Sequence, residues 1–154
     1  PCDDDDVELF ISRDTDSRLS VREKEAVDQW LESDKNFHVM RDHPYHFTAI
    51  MGGMWGMKKE AKINMRNKIQ NFIRGGYHED KKGADQAFLW GLIWPLAIED
   101  NVTHDPFFTD NAPFPTVDRD PAALVYYVGE CVRADDSLWS QADRDAVDEA
   151  ENGN

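Results

Sequence analysis

The chain has 154 residues, of which 40% are hydrophobic, 11% aromatic and 31% charged. This length is typical of one compact domain, and the aromatic content excludes a disordered chain. The formal net charge is -14, and a field of that sign excludes general binding to nucleic acid phosphates. The acidity is concentrated at the two ends, so residues 133–154 are expected to form a solvated, disordered tail, with a weak amphipathic helix through Leu138, Trp139, Ala142 and Val147 as the alternative.

Cysteine usage and hydropathy indicate the compartment. Cys2 and Cys131 do not make a disulfide framework in a chain of this size, and a reducing compartment fits them best. No apolar run approaches the roughly 20 residues that span a bilayer, and no signal-peptide pattern opens the chain. We therefore expect a soluble, cytoplasmic protein without a transmembrane segment.

The first half of the chain predicts a strand, a helix and a second strand. Residues 7–12 (VELFIS) are a short apolar run of strand length. Ser20 and Glu23 form a capping box, and apolar residues then recur at helical spacing, which predicts a helix over 21–32. Residues 37–40 (FHVM) are the second strand. This order is typical of an α/β fold.

The second half is predicted from the same patterns. Proline and glycine make 43–56 a loop whose large apolar side chains can wall a pocket. Apolar periodicity predicts helices at 60–74 and 84–94, and Pro95 is expected to limit the second. The run 124–128 (LVYYV) is predicted as a final strand.

Asp14 and Asp16 stand one residue apart, directly after the first predicted strand. Both can direct oxygens at one hard cation if the turn reverses the usual alternation of side chains. Magnesium or manganese held by one or two carboxylates keeps positions open for phosphate oxygens and water. The spacing alone is a weak signal in a chain with 31 acidic residues, but Arg13 and Arg18 beside the pair strengthen it.

Other metal and phosphate sites fit less well. An EF-hand loop beginning at Asp14 is excluded, because Arg18 stands where a ligand is required. A phosphatase with Asp14 as its nucleophile stays as an alternative, although such enzymes usually have Thr or Val at the position of Arg18. His43 and His46 have a zinc-like spacing, but Pro44 between them and the lack of a third ligand favour surface histidines.

Separated strings extend along the chain in order: 12–20 (SRDTDSRLS), Arg22-Glu23, Trp30, 40–44 (MRDHP), 52–56 (GGMWG), 83–89 (GADQAFL), Trp94-Pro95, His104-Asp105, Phe114-Pro115 and 128–130 (VGE). In these strings the chain resembles a group of GT-A-type glycosyltransferases encoded in polysaccharide gene sets, one of them a domain from a large algal virus. The resemblance spans about residues 7–132, which defines a catalytic domain between an acidic lead, 1–6, and an acidic tail, 133–154. It implies a partial or minimal GT-A-like fold, with a mixed sheet flanked by helices.

The resemblance implies an enzyme that moves a sugar from a nucleotide-diphosphate donor to the hydroxyl of a carbohydrate or other acceptor. Asp14 and Asp16 match the DxD motif of the family and would bind Mn²⁺ or Mg²⁺, and His104 looks like the late metal ligand of many GT-A folds. Asp85 matches the carboxylate that approaches the acceptor, which makes it the candidate general base and favours inversion. A loop histidine and a carboxylate that interacts with a helix dipole are the competing interpretations of His104 and Asp85.

Five residues are candidates for donor binding. Arg13 and Arg18 could form charge-assisted bonds to phosphate or to the aspartates. Gly52, Gly53 and Trp55 could line the sugar pocket, although a core tryptophan between turn glycines is equally consistent with the sequence.

The chain departs from the family at its start. A GT-A domain normally places a nucleotide-binding strand and helix before the DxD strand, whereas only residues 1–6 precede it here. We therefore expect that the nucleotide-binding part is missing and that the isolated chain binds nucleotide sugars poorly. A degenerate, non-catalytic interaction module is the second alternative to the transferase.

Overall fold

A computed structural model of the chain describes residues 1–76, 82–108, 111–115 and 119–153. The strands in these residues are β1 (Leu9–Arg13), β2 (Phe37–Met40), β3 (Met54–Lys58) and β4 (Asn101–His104). The α-helices are α1 (Val21–Glu32), α2 (Met65–Arg74), α3 (Ala84–Phe88), α4 (Trp94–Ala97) and α5 (Gln141–Asn152). A 3-10 turn covers Lys59–Ala61, and a π-helical stretch, Leu89–Ile93, joins α3 to α4. Within the described ranges, none of the helices has the length and apolar character needed to cross a bilayer.

The four strands form one mixed sheet in the order β1-β3-β2-β4. Strand β3 pairs antiparallel with β1 and β2, whereas β2 and β4 are parallel. Arg13 pairs with Met54 and Met40 pairs with His104, so these four residues lie in one row across the sheet. The predicted mixed α/β sheet with flanking helices is therefore confirmed.

Each face of the sheet carries its own core, because alternate strand residues point to opposite faces. One core contains Phe37, Val39, Ile50, Trp55, Met57, Met65, Leu89, Ile93 and Ala97. The other contains Ala26, Met40, Met54, Phe114 and Val128. On this second side Trp30 of α1 is fully buried and stacks on His38 with the ring centroids 5.2 Å apart. Helix α1 therefore covers one face, and the α3 to α4 segment covers the other.

Helix α1 and strand β2 coincide with their predicted ranges, and β1 overlaps the predicted strand 7–12. The prediction that 43–56 is entirely loop is wrong, because β3 begins at Met54. Its Gly56 has a packing reason: an added Cβ would lie 3.0 Å from the Phe10 carbonyl oxygen and 3.2 Å from the Trp30 ring. Strand β4 was also not predicted from the sequence, where its residues resemble the start of a connector.

The predicted helix 60–74 begins later, at Met65. Lys62 adopts a left-handed conformation with φ 51°, and the Asn64 side chain caps the helix by accepting a bond from the Asn67 amide at 2.9 Å. The Asp3 carboxylate adds a second cap, accepting the amides of Met65 at 2.9 Å and Arg66 at 2.6 Å. The acidic lead thus fixes the start of α2.

Pro95 does not end the helical segment that begins at Ala84, which continues to Ala97. The proline lies in the first turn of α4, after the π-helical stretch, where a missing amide costs little. The prediction of a stop at Pro95 is therefore wrong by about one turn.

The predicted strand 124–128 is absent from the structure, where these residues form bends and turns. Side chains, rather than a neighbouring strand, satisfy their backbone. Val128 donates its amide to Asp42 at 2.9 Å, and the carbonyl of Tyr126 accepts from Arg119 at 3.2 Å. Arg144 donates to the carbonyl of Leu124 at 3.1 Å.

The expectation of a disordered acidic tail is wrong for residues 141–152, which form α5. Ser140 caps the helix by accepting the Asp143 amide at 3.3 Å, and Val147 is fully buried. Arg144 pairs with the buried Glu130 at 2.6 Å. These contacts dock α5 on the domain despite its charge.

Candidate functional site

The two aspartates lie in the turn between β1 and α1. The amide of Ser17 donates to the Asp14 carbonyl at 3.4 Å, which closes the turn. The Asp16 carbonyl accepts the Val132 amide at 2.8 Å, so a distant part of the chain also holds this turn. Both aspartates are exposed. The strand therefore delivers two carboxylates to the surface at its end.

The Gly52-Gly53 turn separates two of the predicted site residues. The Ser12 hydroxyl donates to the Gly52 carbonyl at 2.6 Å, which holds the turn against β1. An added Cβ on Gly53 would lie 2.2 Å from the Asp14 Cγ, and one on Gly52 would lie 3.3 Å from the Asp85 Oδ2. Asp14 and Asp85 thus flank the glycine pair, and a side chain at Gly53 would occupy the space of the Asp14 carboxylate.

Asp85 is the second residue of α3. It follows the glycine turn in the sequence, whereas Asp14 precedes it. The neighbouring Gln86 donates its side-chain amide to the Ile50 carbonyl, which ties α3 to the segment that leads into the glycines. The position of Asp85 is therefore set by a contact that is non-local in the sequence.

Negative charge predominates around the Asp14 carboxyl group. Partial burial raises the pKa of the Asp14 carboxyl, and the charges of Asp16 and Asp85 raise it further. The positive charge of Arg13 acts in the opposite direction and is the smallest of these influences. A carboxyl group whose ionisation is opposed by neighbouring negative charges is stabilised in its charged form by a bound cation.

The donor set fits a hard cation. Within the described ranges, no group of three or more His, Cys, Asp or Glu side chains is arranged to enclose a metal ion. Magnesium and manganese, however, are commonly held by one or two carboxylates, with water and substrate phosphates as the remaining ligands. Asp14 and Asp16 offer oxygen ligands of this kind at an open surface.

A cavity of about 800 Å³ opens beside the glycine turn. Its charged side chains are Arg13, Asp14 and Asp85, and Gly52 and Trp55 also line it. Most of the remaining wall is apolar: Phe10, Ile11, Met65, Ile69, Phe72, Ile73, Phe88 and Leu89. This volume is in the range of ligand-binding sites. Five of the residues predicted from the sequence therefore share one cavity.

Arg13 is committed to the protein rather than extended toward a ligand. Its guanidinium pairs with Glu23 of α1 and donates to the Ser12 carbonyl at 2.6 Å. Burial lowers its pKa. Arg13 thus joins the end of β1 to α1, and because it also lines the cavity, its contact with the donor stays a prediction.

Arg18 is likewise engaged, in an ion pair with Asp136 at 2.7 Å. It is not among the residues that line the cavity. Arg18 therefore links the aspartate turn to a later segment of the chain.

His104 is not brought to the aspartates. It lies in the same row as Arg13 but three strand spacings away, about 14 Å across the sheet. It is fully buried, and its Nε2 lies 2.6 Å from the Gln29 Oε1 while its Nδ1 lies 2.8 Å from the His38 Nε2. Because Gln29 offers an oxygen, both histidines donate through Nε2. With both nitrogens bonded, the predicted metal ligand is instead part of a buried chain.

His43 and His46 are also not surface histidines. His43 is 3% exposed, accepts the Tyr45 amide at 3.1 Å and donates to the Asp143 carbonyl at 3.0 Å. The two rings lie 5.3 Å apart, and burial lowers the pKa of His46 to about 4. They belong to the interior contact with α5.

Cys131 is a neighbour of the site that no sequence motif identifies. Its thiol lies close to the Asp16 carboxylate, and burial together with the charge of Asp16 raises the thiol pKa. Cys131 and Asp16 are far apart in the sequence, and the residues around Cys131 do not have the spacing of a known metal-binding or catalytic motif.

Comparison with protein-family models, with curated proteins and with solved structures finds no match for this chain.

Proposed function

We propose that this chain carries the metal-binding and acceptor-activating part of a glycosyltransferase that moves a sugar from a nucleotide diphosphate to a hydroxyl. The observation that carries the proposal is the placement of Asp14 and Asp85 on the two sides of the Gly52-Gly53 turn, in one cavity. Carboxylates with different roles, placed close together beside an apolar-walled pocket, are what such a transfer requires.

Asp14 and Asp16 are the residues that would hold Mn²⁺ or Mg²⁺. Such a cation, when bound, would neutralise the negative charge that develops on the departing diphosphate. Burial, and then the negative charges of Asp16 and Asp85, raise the pKa of Asp14, and positive charge would relieve that repulsion, which is why this pair suits a cation.

Asp85 is the proposed general base. The proton of the acceptor hydroxyl passes to its carboxylate while the acceptor oxygen bonds to the anomeric carbon and the bond to the diphosphate oxygen breaks. Attack on the side opposite the leaving group inverts the anomeric centre. Asp85 and Asp14 approach the glycine turn from different elements, which is consistent with separate roles for the two carboxylates.

The other predicted residues shape the site. Gly52 and Gly53 leave room for the two carboxylates, and Trp55 contributes a 6% exposed aromatic wall. Arg13 and Arg18 become positioning residues in this proposal, because their ion pairs fix the two ends of the aspartate turn. His104 has no role in it.

Metal binding tests the proposal independently of turnover. The melting temperature is measured with and without Mn²⁺, alone and with UDP or GDP. Mn²⁺ at 100 times its dissociation constant should stabilise the fold by about 2.7 kcal/mol, which is a rise of several degrees. Asp16→Asn should abolish the rise, and Asp34→Asn, which removes the same charge from an exposed bend, should leave it intact.

Gly53→Ala adds a test of geometry without a change in charge. The new methyl group displaces the Asp14 carboxylate, since they cannot share the space, so the Mn²⁺ effect should weaken. An absent Mn²⁺ effect in the parent chain would favour the non-catalytic module. Stabilisation by beryllofluoride that depends on Asp14 and needs no nucleotide would favour the phosphohydrolase.

A further inference from the structure

A hairpin at residues 131–139 begins at the end of the part of the chain that carries the family resemblance. Val132 and Leu138 pair antiparallel, and the Arg133 amide donates to the Ser137 carbonyl at 3.0 Å. The turn contains Asp136 with φ 61°, whose amide donates to the Arg133 carbonyl at 2.9 Å. We call this segment the 131–139 hairpin.

The 131–139 hairpin is fastened to the aspartate turn by three contacts. The Val132 amide donates to the Asp16 carbonyl at 2.8 Å, and the Cys131 thiol lies close to the Asp16 carboxylate. Arg18 pairs with Asp136 at 2.7 Å. The hairpin and the candidate metal site therefore form one unit.

This unit presents an exposed tryptophan. Trp139 has 62% of its surface exposed, so that much of its ring is open to a ligand. Because Val132 and Leu138 are paired, Trp139 lies opposite Cys131 and on the same face of the hairpin. That is the face from which Cys131 contacts Asp16. The indole is thus held beside the aspartate turn.

Arg133 fixes the indole in place. Its guanidinium carbon lies 5.6 Å from the Trp139 ring centroid, and its nitrogens donate to the carbonyls of Leu138 and Trp139. A ring fixed in this way loses little conformational entropy when a ligand binds its open face.

We propose that Trp139 is a stacking platform for a pyranose ring of an oligosaccharide acceptor, an inference that rests on the proposed function. The apolar C–H face of a pyranose suits the indole, and its hydroxyls can donate to the nearby carboxylates. A nucleotide suits the surface less well, because Arg18 and Arg133 are engaged with Asp136 and with backbone carbonyls, and Asp135 is exposed nearby. The occupant is therefore a neutral sugar.

The test uses the full chain labelled with 5-fluorotryptophan and observed by fluorine NMR, without metal or donor. The probes are cellohexaose, maltohexaose, xylohexaose and chitohexaose. The Trp139 resonance, assigned with Trp139→Phe, should shift with at least one of them at millimolar concentration. Trp139→Ala should weaken that binding roughly tenfold, and Trp139→Phe by less, because it keeps an aromatic face. Trp90→Ala removes another exposed tryptophan and should change nothing.

Two results would overturn the platform: no movement of the Trp139 resonance with any hexasaccharide at 10 mM, or equal binding by Trp139→Ala and the parent chain. A shift with UMP but with none of the sugars would also overturn it. Sugar binding at Trp139 in a chain whose melting temperature is insensitive to Mn²⁺ would support the platform and contradict the transferase. Failure of one proposal is thus distinguishable from failure of the other.

Discussion

Asp14 and Asp42 are carboxylates in opposite surroundings. Asp42 is fully buried and accepts bonds from Arg22 at 2.8 and 2.9 Å, from Arg119 at 2.8 and 3.1 Å and from the Val128 amide at 2.9 Å. Asp14 lies at the surface, and partial burial of its carboxyl, followed by the negative charges around it, raises its pKa. The arginines of the fold thus compensate Asp42 fully, while the carboxylates around Asp14 are left for a ligand to compensate.

The surroundings of Asp42 explain how the second half of the domain is held. Arg22 belongs to α1, and Arg119 also pairs with Glu151 of α5 at 2.8 Å. One buried carboxylate therefore joins a helix near the start of the chain to a helix near its end. A fully satisfied carboxylate of this kind serves the fold, whereas a charged group with like-charged neighbours beside a cavity is a candidate for chemistry.

The largest effect expected from this comparison is that of Asp42→Asn. It removes the negative charge from two arginine side chains that are 8% and 2% exposed, so the free energy of unfolding should fall by about 3–5 kcal/mol. Urea denaturation measures the loss. Asp28→Asn breaks the exposed pair with Lys24 and should cost below about 0.5 kcal/mol. Equal losses in the two variants would mean that the Asp42 cluster is not the anchor described here.

The second-largest expected effect is a loss of stability in acid. His104 lies beside Arg22, which binds Asp42, and this histidine is buried in its neutral form. Burial, and then the charge of Arg22, lower the pKa of His104 to about 4, and burial lowers that of His38 to about 2. The unfolded chain takes up protons on these residues below about pH 6.5, whereas the folded chain does not. Stability should therefore fall between pH 6.5 and about 4, by at most about 1.4 kcal/mol per pH unit for each histidine.

Urea denaturation at pH 7, 6 and 5 measures this slope, and proton NMR of the histidine rings supplies the independent check. Resonances of His38 and His104 that titrate near pH 6.5 in the folded chain would contradict the buried, neutral pair.

The smallest expected effect, of opposite sign, is that of Asp14→Asn. The pKa of Asp14 is raised in the folded chain, so its charge opposes folding above that pKa and has no effect below the unfolded value near 3.8. The variant should therefore be more stable than the parent at pH 7, by less than about 1 kcal/mol because the group is exposed to solvent. The difference should vanish as the pH falls toward 3.8. Thermal unfolding across this range detects it, and a loss of stability at pH 7 would show that Asp14 is structural like Asp42.

Local sequence signals were sufficient for α1. Its start depends on Ser20, whose hydroxyl accepts the Glu23 amide at 3.1 Å, and such caps act over three residues. Strand β3 could not be found in this way. Its Gly56 is present because Phe10 and Trp30 approach it closely, and neither contact is visible in a sequence where glycines indicate a loop.

The residues of the candidate site also differ in whether local sequence signals were sufficient to identify them. Asp14 and Asp16 were selected from their spacing after a strand, which is local. Asp85 came only from the family resemblance, and its approach to Gly52 is a tertiary contact. His104 was assigned to the metal by resemblance, but the strand order places β4 at the opposite edge of the sheet from β1. No local pattern encodes strand order.

The cap that Asp3 places on α2 has a practical consequence for anyone who handles this protein. Helix α2 supplies Met65, Ile69, Phe72 and Ile73 to the cavity wall, and its first amides are held by a carboxylate 62 residues earlier in the sequence. Affinity tags, protease trimming or a shortened amino terminus that disturb Asp3 would loosen that wall. Ligand screens on such samples would then measure binding to an altered cavity rather than to the native one.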